Sequence, residues 1–131
     1  MALRDPTFTI GIEEEYLLVD KASRDLVREM PQALFDAAQQ AMPDKVAREF
    51  LKSQIEVGTG VHKTPRQAGI ELSSLRHTVA KLADEHGLAP IAASTHPFAR
   101  WSTQQPTERD QTLSHPRTGE NRVDLTHTNE P

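Results

Sequence analysis

The chain has 131 residues, enough for one small domain with a core, although its hydrophobic fraction is only 36%. A net charge of −4, with no basic cluster, gives no electrostatic case for binding nucleic acid. Without cysteine there is neither a disulfide framework nor a thiolate metal site. No apolar run approaches a membrane span and no signal-peptide pattern opens the chain, so a soluble cytoplasmic protein is expected.

The first predicted element is a strand from about Thr7 to Val19, and it carries three consecutive carboxylates, Glu13-Glu14-Glu15. Alternate strand residues share a face, so Glu13 and Glu15 point the same way, about 6.5–7 Å apart. At an effective dielectric near 20, their repulsion is about 2–2.5 kcal/mol. Two readings follow from the residues. Either this is an exposed edge strand whose acids blunt aggregation, or a divalent cation offsets the repulsion. The flanking Ile10, Ile12, Leu17, Leu18 and Val19 speak against a wholly solvated strand. Glu14 points to the other face and reads as structural or exposed.

Asp20 to Asp25 reads as a polar turn, after which Leu26-Val27 begins a returning strand. Pro31 suits a first helical turn, and Ala33, Leu34, Ala37, Ala38 and Ala41 follow at helical spacing until Met42-Pro43-Asp44. A second extended run covers Glu49 to Val61, with Lys52, Gln54 and Glu56 on one face and Ile55 and Val57 on the other. Gly58-Thr59-Gly60 loosens its end and permits close backbone approach. It is not a phosphate-cradling loop, because no Gly-Lys-Ser/Thr follows.

The clearest helix runs from Pro65 to His86. Thr64 is its N-cap, Pro65 its first residue, and Gln67 the partner in a capping box. Ala68, Leu72, Leu75, Val79 and Leu82 form one apolar stripe for core packing, and Gly87 supplies the stop. His77 and His86 read as solvated or capping residues. Leu88 to Ser94 is a further strand, with Thr95-His96-Pro97-Phe98 at its end; Phe98 and Trp101 are expected to cover an apolar edge. From about Gln104 aromatics vanish and periodicity is lost. The expected division is therefore an ordered part over 1–103 and a polar, disordered tail over 104–131.

The ordered set Gly11-Ile12-Glu13-Glu14-Glu15-Tyr16, Gln54-Ile55-Glu56-Val57-Gly58-Thr59-Gly60 and Thr95-His96-Pro97-Phe98 resembles the amino-terminal part of the type 2 glutamate–cysteine ligase family. The resemblance covers about residues 7–109. It implies an α+β fold, part of a glutamine-synthetase-like antiparallel sheet with helices packed on one side. It also implies an ATP-dependent carboxylate–amine ligase acting through an acyl-phosphate. The cofactors would be ATP and Mg2+ or Mn2+, and the substrates L-glutamate and L-cysteine or another amine. Full-length relatives are compatible with homo-oligomers.

By this resemblance Glu13, Glu15 and Glu56 bind metal and, through it, the nucleotide. Glu49 binds metal or the substrate's amino group, and Thr95 and His96 contact substrate. Read from the residues alone, Glu49 is equally an ordinary surface acid, and a lone His at a strand end is more often a structural hydrogen-bonding residue. No catalytic residue is assigned.

The family's usual length is several hundred residues, and its later His-containing strand is missing here. The expectation is an amino-terminal fragment, truncated or carrying foreign residues after a frameshift, and inactive alone. The alternative is a non-enzymatic acidic module that binds a cation or a partner protein.

Overall fold

The computed structural model describes residues 7–108. Four strands form one antiparallel sheet: β1 (Glu13–Asp20), β2 (Val46–Arg48), β3 (Gln54–Gly58) and β4 (Leu88–Ile91), in the order β2-β3-β1-β4. Two helices, α1 (Gln32–Ala41) and α2 (Pro65–Asp84), pack on one face, as the expected α+β class requires.

The alternation of strand side chains decides which face the helices cover. Tyr16 and Leu18 of β1 share a face with Ile55 and Val57 of β3, and all four join the core. The helices answer with Leu34, Phe35 and Ala38 from α1 and Ala68, Leu72, Leu75, Val79 and Ala83 from α2. Each fully buried aliphatic side chain contributes about 1.5–3 kcal/mol by leaving water, so this layer holds the sheet flat against the helices. The expected stripe on α2 is therefore present, with Leu82 half-buried at its margin.

Local signals fix the ends of α2. The Thr64 side chain accepts a hydrogen bond from the Gln67 N–H at 3.3 Å, the N-cap bond its sequence predicts. Gly87, at φ +70°, takes the left-handed conformation that stops the chain after the helix.

Several expected boundaries move. The strand expected over 7–19 is β1, and ahead of it Ile10 makes an isolated bridge to His62 while Ile12 O accepts from Thr59 N–H at 2.9 Å. Leu26 makes one bridge to Val19 rather than starting a strand. The run expected over 49–61 is β3 alone, because residues 51–53 turn the chain back on β2, a three-residue strand too short to show periodicity. Phe98 and Trp101 do not cover an edge: they are 60% and 88% exposed.

After β4 the chain crosses the end of the sheet opposite Glu13. Gln105 O accepts from Lys52 N–H at 2.9 Å, Thr107 N–H donates to Phe50 O at 2.8 Å, and buried Ser53 Oγ donates to Gln104 Oε1 at 2.8 Å. Of the segment read as a tail, residues 104–107 thus contact the 50–53 turn, while 109–131 lie outside the described residues.

Candidate metal centre on the open sheet face

The face of the sheet turned away from the helices carries Glu13 and Glu15 of β1 and Gln54 and Glu56 of β3. Glu15 stands directly opposite Glu56, and Glu13 opposite Gly58. The hairpin of β2 and β3 pairs Ala47 with Glu56 and places Glu49, two residues further along, on the same face. One oxygen from each of Glu15, Glu49 and Glu56 lies within 4.8 Å of the others. Glu13 shares the face but stands outside this group. Burial, then the charges of Glu13, Glu49 and Glu15, push the Glu56 carboxyl above its usual range.

The edge-strand reading survives only in part. β3 alone pairs with β1 over Glu13–Tyr16 and β4 over Leu18–Asp20, so strands flank it on both sides only at Leu17. Acids that only discourage edge pairing need not converge. Here three come together from three strands or their ends, and their mutual repulsion is a cost that gatekeeping does not require. Hard divalent cations take oxygen ligands at about 2.0–2.6 Å, so oxygens on opposite sides of one ion stand up to about 5 Å apart. The donor chemistry and spacing of Glu15, Glu49 and Glu56 fit such an ion.

Glu14 does turn to the helix side. Its carboxylate accepts from Tyr16 Oη and from both Nε and a terminal nitrogen of Arg76 on α2, the Nε contact being 2.6 Å. The Arg76 hydrogen bonds hold Glu14 below the usual carboxylate range. Burial and the bond to Glu14 push the Tyr16 phenol up to about 12.

Beside the acids lies a cleft of about 250 Å³, lined by Leu17, Gln54, Thr95, His96, Trp101 and neighbours. Gln54 also borders the surface around Glu14 and Glu15, so cleft and acids adjoin. Thr95 is exposed there. The ring nitrogens of His96 are both engaged by backbone: Nδ1 accepts from Ala99 N–H at 3.0 Å, and Nε2 donates to Arg24 O at 3.0 Å. That pattern requires the neutral ring with its proton on Nε2.

Comparison with known proteins assigns the chain. The family model for glutamate–cysteine ligase family 2 matches residues 9–125. The chain belongs to this family. The match runs past residue 109, where the resemblance of the motifs ends. Curated relatives named "Putative glutamate--cysteine ligase 2" include one from Jannaschia sp., 52% identical over 107 residues, and one from Rhodospirillum rubrum, 49% identical over 113 residues. A third, from Paracoccus denitrificans, is 47% identical over 107 residues. These alignments cover 82%, 83% and 82% of this chain but 28%, 29% and 28% of the relatives, so the chain spans a little over a quarter of their length.

Two family-neutral features escaped sequence reading. Glu71 of α2 accepts from Gly60 N–H at 2.9 Å, pairs with Lys45 Nζ at 3.1 Å and bonds His62 Nε2. Those bonds, with His62 first, then Gly60, then Lys45, hold its carboxyl down to about 2. Lys45 meanwhile borders a cleft of about 210 Å³ with Glu13, Glu56 and Thr59. No local pattern announces either residue, because their partners are distant in sequence.

Proposed function

We propose that this chain is the amino-terminal part of an ATP-dependent carboxylate–amine ligase of glutamate–cysteine ligase type. The convergence of Glu15, Glu49 and Glu56 on the open sheet face carries this reading. These three carboxylates would hold a Mg2+ or Mn2+ ion, with Glu13 adding negative charge beside them. A divalent ion bound there supplies neutralisation of nucleotide phosphates and polarisation of the transferred phosphoryl group. The reaction joins the γ-carboxylate of L-glutamate to the amine of L-cysteine or another amino compound, and releases ADP and phosphate from ATP.

Within this reading the chain's own residues have separate tasks. Glu15 and Glu56 sit on paired strands and Glu49 directly follows β2, which fixes their spacing before any ligand arrives. Thr95 offers its hydroxyl to substrate in the adjoining cleft, and His96 fixes the backbone that shapes it. The chain spans a little over a quarter of its relatives' length, so the ligation is proposed for the whole protein. Membership of a ligase family disfavours the alternative of a plain acidic binding module.

The test is thermal unfolding of the 131-residue chain with and without Mg2+ or Mn2+, then with ATP added. Ligand-dependent stabilisation that disappears in Glu15→Gln and Glu56→Gln supports the proposal, because binding to the folded state raises apparent stability. An unfolding curve indifferent to the ion in the wild-type chain would contradict it.

A further inference from the structure

Lys45 poses a question that the metal reading leaves open. Lys45 borders the same cleft as Glu13 and Glu56, yet its ammonium pairs with Glu71 on α2, at 3.1 Å. An ammonium on a flexible four-carbon stem is a ready counter-ion for any carboxylate within reach. Were it to swing toward the acids, it would neutralise them and compete with an incoming cation.

Three contacts keep it from doing so. Glu71 is itself fixed on its other side by Gly60 N–H at 2.9 Å and by the His62 ring. Lys45 is seated against Gly60, where an added Cβ would lie only 3.2 Å from Nζ and 3.5 Å from Glu71 Oε2. The backbone of Lys45 is tied down as well, its carbonyl accepting from Gly58 N–H at 2.9 Å. The carboxylate, the ammonium and the glycine therefore form one seat for Lys45, beside the acids but directed away from them.

We propose that Glu71 is a positioning residue which sequesters the Lys45 ammonium and so keeps the acidic group of Glu13, Glu15, Glu49 and Glu56 available to a divalent cation. This rests on the cation reading above, and it adds a device that the ligand set alone does not contain. A salt bridge serving only stability has a counterpart at the far end of α2, where Asp84 pairs with Lys21 away from the acids. Asp84 therefore provides the internal control.

The experiment measures Mn2+ binding to the 131-residue chain by electron paramagnetic resonance, with circular dichroism checking the fold of each variant. Glu71→Gln is expected to weaken Mn2+ affinity by about tenfold, the scale seen when residues that support metal ligands are changed. Asp84→Asn is expected to change it less than about twofold, as an exposed pair should. Adding Lys45→Met to Glu71→Gln is expected to restore affinity, because the competing ammonium is then gone. A purely structural role for Glu71 predicts no such rescue. Unchanged affinity in folded Glu71→Gln, or a double variant as weak as the single one, would overturn the proposal. If Glu71→Gln does not fold, Glu71→Asp keeps the charge but draws the carboxylate back by one methylene from the 3.1 Å Lys45 pair, and must weaken binding; unchanged affinity there overturns the proposal equally. A wild-type chain that binds no Mn2+ removes the cation reading itself, an outcome distinct from all of these.

Discussion

Glu15 and Glu56 face each other directly across β1 and β3, and Glu49 joins them from the end of β2. Opposed like charges destabilise a strand pair, and burial, followed by the charges of Glu13, Glu49 and Glu15, raises the Glu56 carboxyl. Replacing Glu56 by Gln should therefore stabilise the ion-free chain at neutral pH, by up to about 1 kcal/mol for a partly exposed group. The same substitution should abolish stabilisation by Mg2+, which for a binding site at a hundredfold its dissociation constant amounts to about 2.7 kcal/mol. Urea unfolding with and without the ion measures both effects. A destabilised ion-free variant would mean that the acids are held by contacts other than a cation.

Acid stability should divide between two carboxylates of opposite sign. Glu71 in the folded chain is held down to about 2 from a usual value of 4.5. Its contribution is complete above about pH 4.5 and is lost as pH falls toward 2. Glu56 is raised, so its charged form opposes folding at neutral pH, and protonation on acidification relieves that penalty. Urea midpoints between pH 7 and pH 2.5 should fall less steeply in Glu71→Gln than in the wild-type chain. They should fall more steeply in Glu56→Gln, which lacks the compensating relief. Parallel curves for all three proteins would refute the assignment.

How much of this was legible in sequence depends on how local each signal is. The α2 helix is written in its own residues: Thr64 caps it, the stripe from Ala68 to Val79 buries it and Gly87 ends it. The inward and outward sides of β1 follow from strand alternation, which is why Glu14 turns from Glu13 and Glu15 toward Arg76. Glu49 was legible only through the family resemblance, because its seven-residue separation from Glu56 says nothing until the turn at 51–53 folds β2 onto β3. The pairing of Lys45 with Glu71 depends on the docking of α2 against the sheet, and no pattern along the chain reports that.

The stop after α2 makes a prediction independent of any ligand. Gly87 adopts φ +70° with nothing within 4 Å of the place its Cβ would occupy. Steric crowding with neighbours is therefore absent, and only the left-handed backbone matters. Gly87→Ala should cost about 1 kcal/mol, the penalty an L-residue meets in that conformation. Chemical denaturation checks it, and Mn2+ affinity should be unaltered because Gly87 lies at the opposite end of the sheet from Glu13. A cost near zero would show that the turn relaxes to accept a side chain.

His96 tests whether the motif histidine acts by shaping the cleft. Its Nδ1 accepts from Ala99 N–H, its Nε2 donates to Arg24 O, and its ring meets Phe98 edge-on with centroids 4.5 Å apart. The ring thus links the loop between β1 and α1 to the segment after β4, two parts of the chain far apart in sequence. His96→Phe preserves an aromatic ring but removes both hydrogen bonds, and should cost about 1–2 kcal/mol. The loss should be local. Amide exchange at Ala99 should be slowed by this hydrogen bond in the wild-type chain and accelerate in the variant, while exchange in β3 stays slow. His96→Asn, which retains a side-chain acceptor, should recover part of the protection at Ala99. If exchange at Ala99 is the same in all three proteins, the ring does not hold this segment, and a direct contact with substrate becomes the better account of His96.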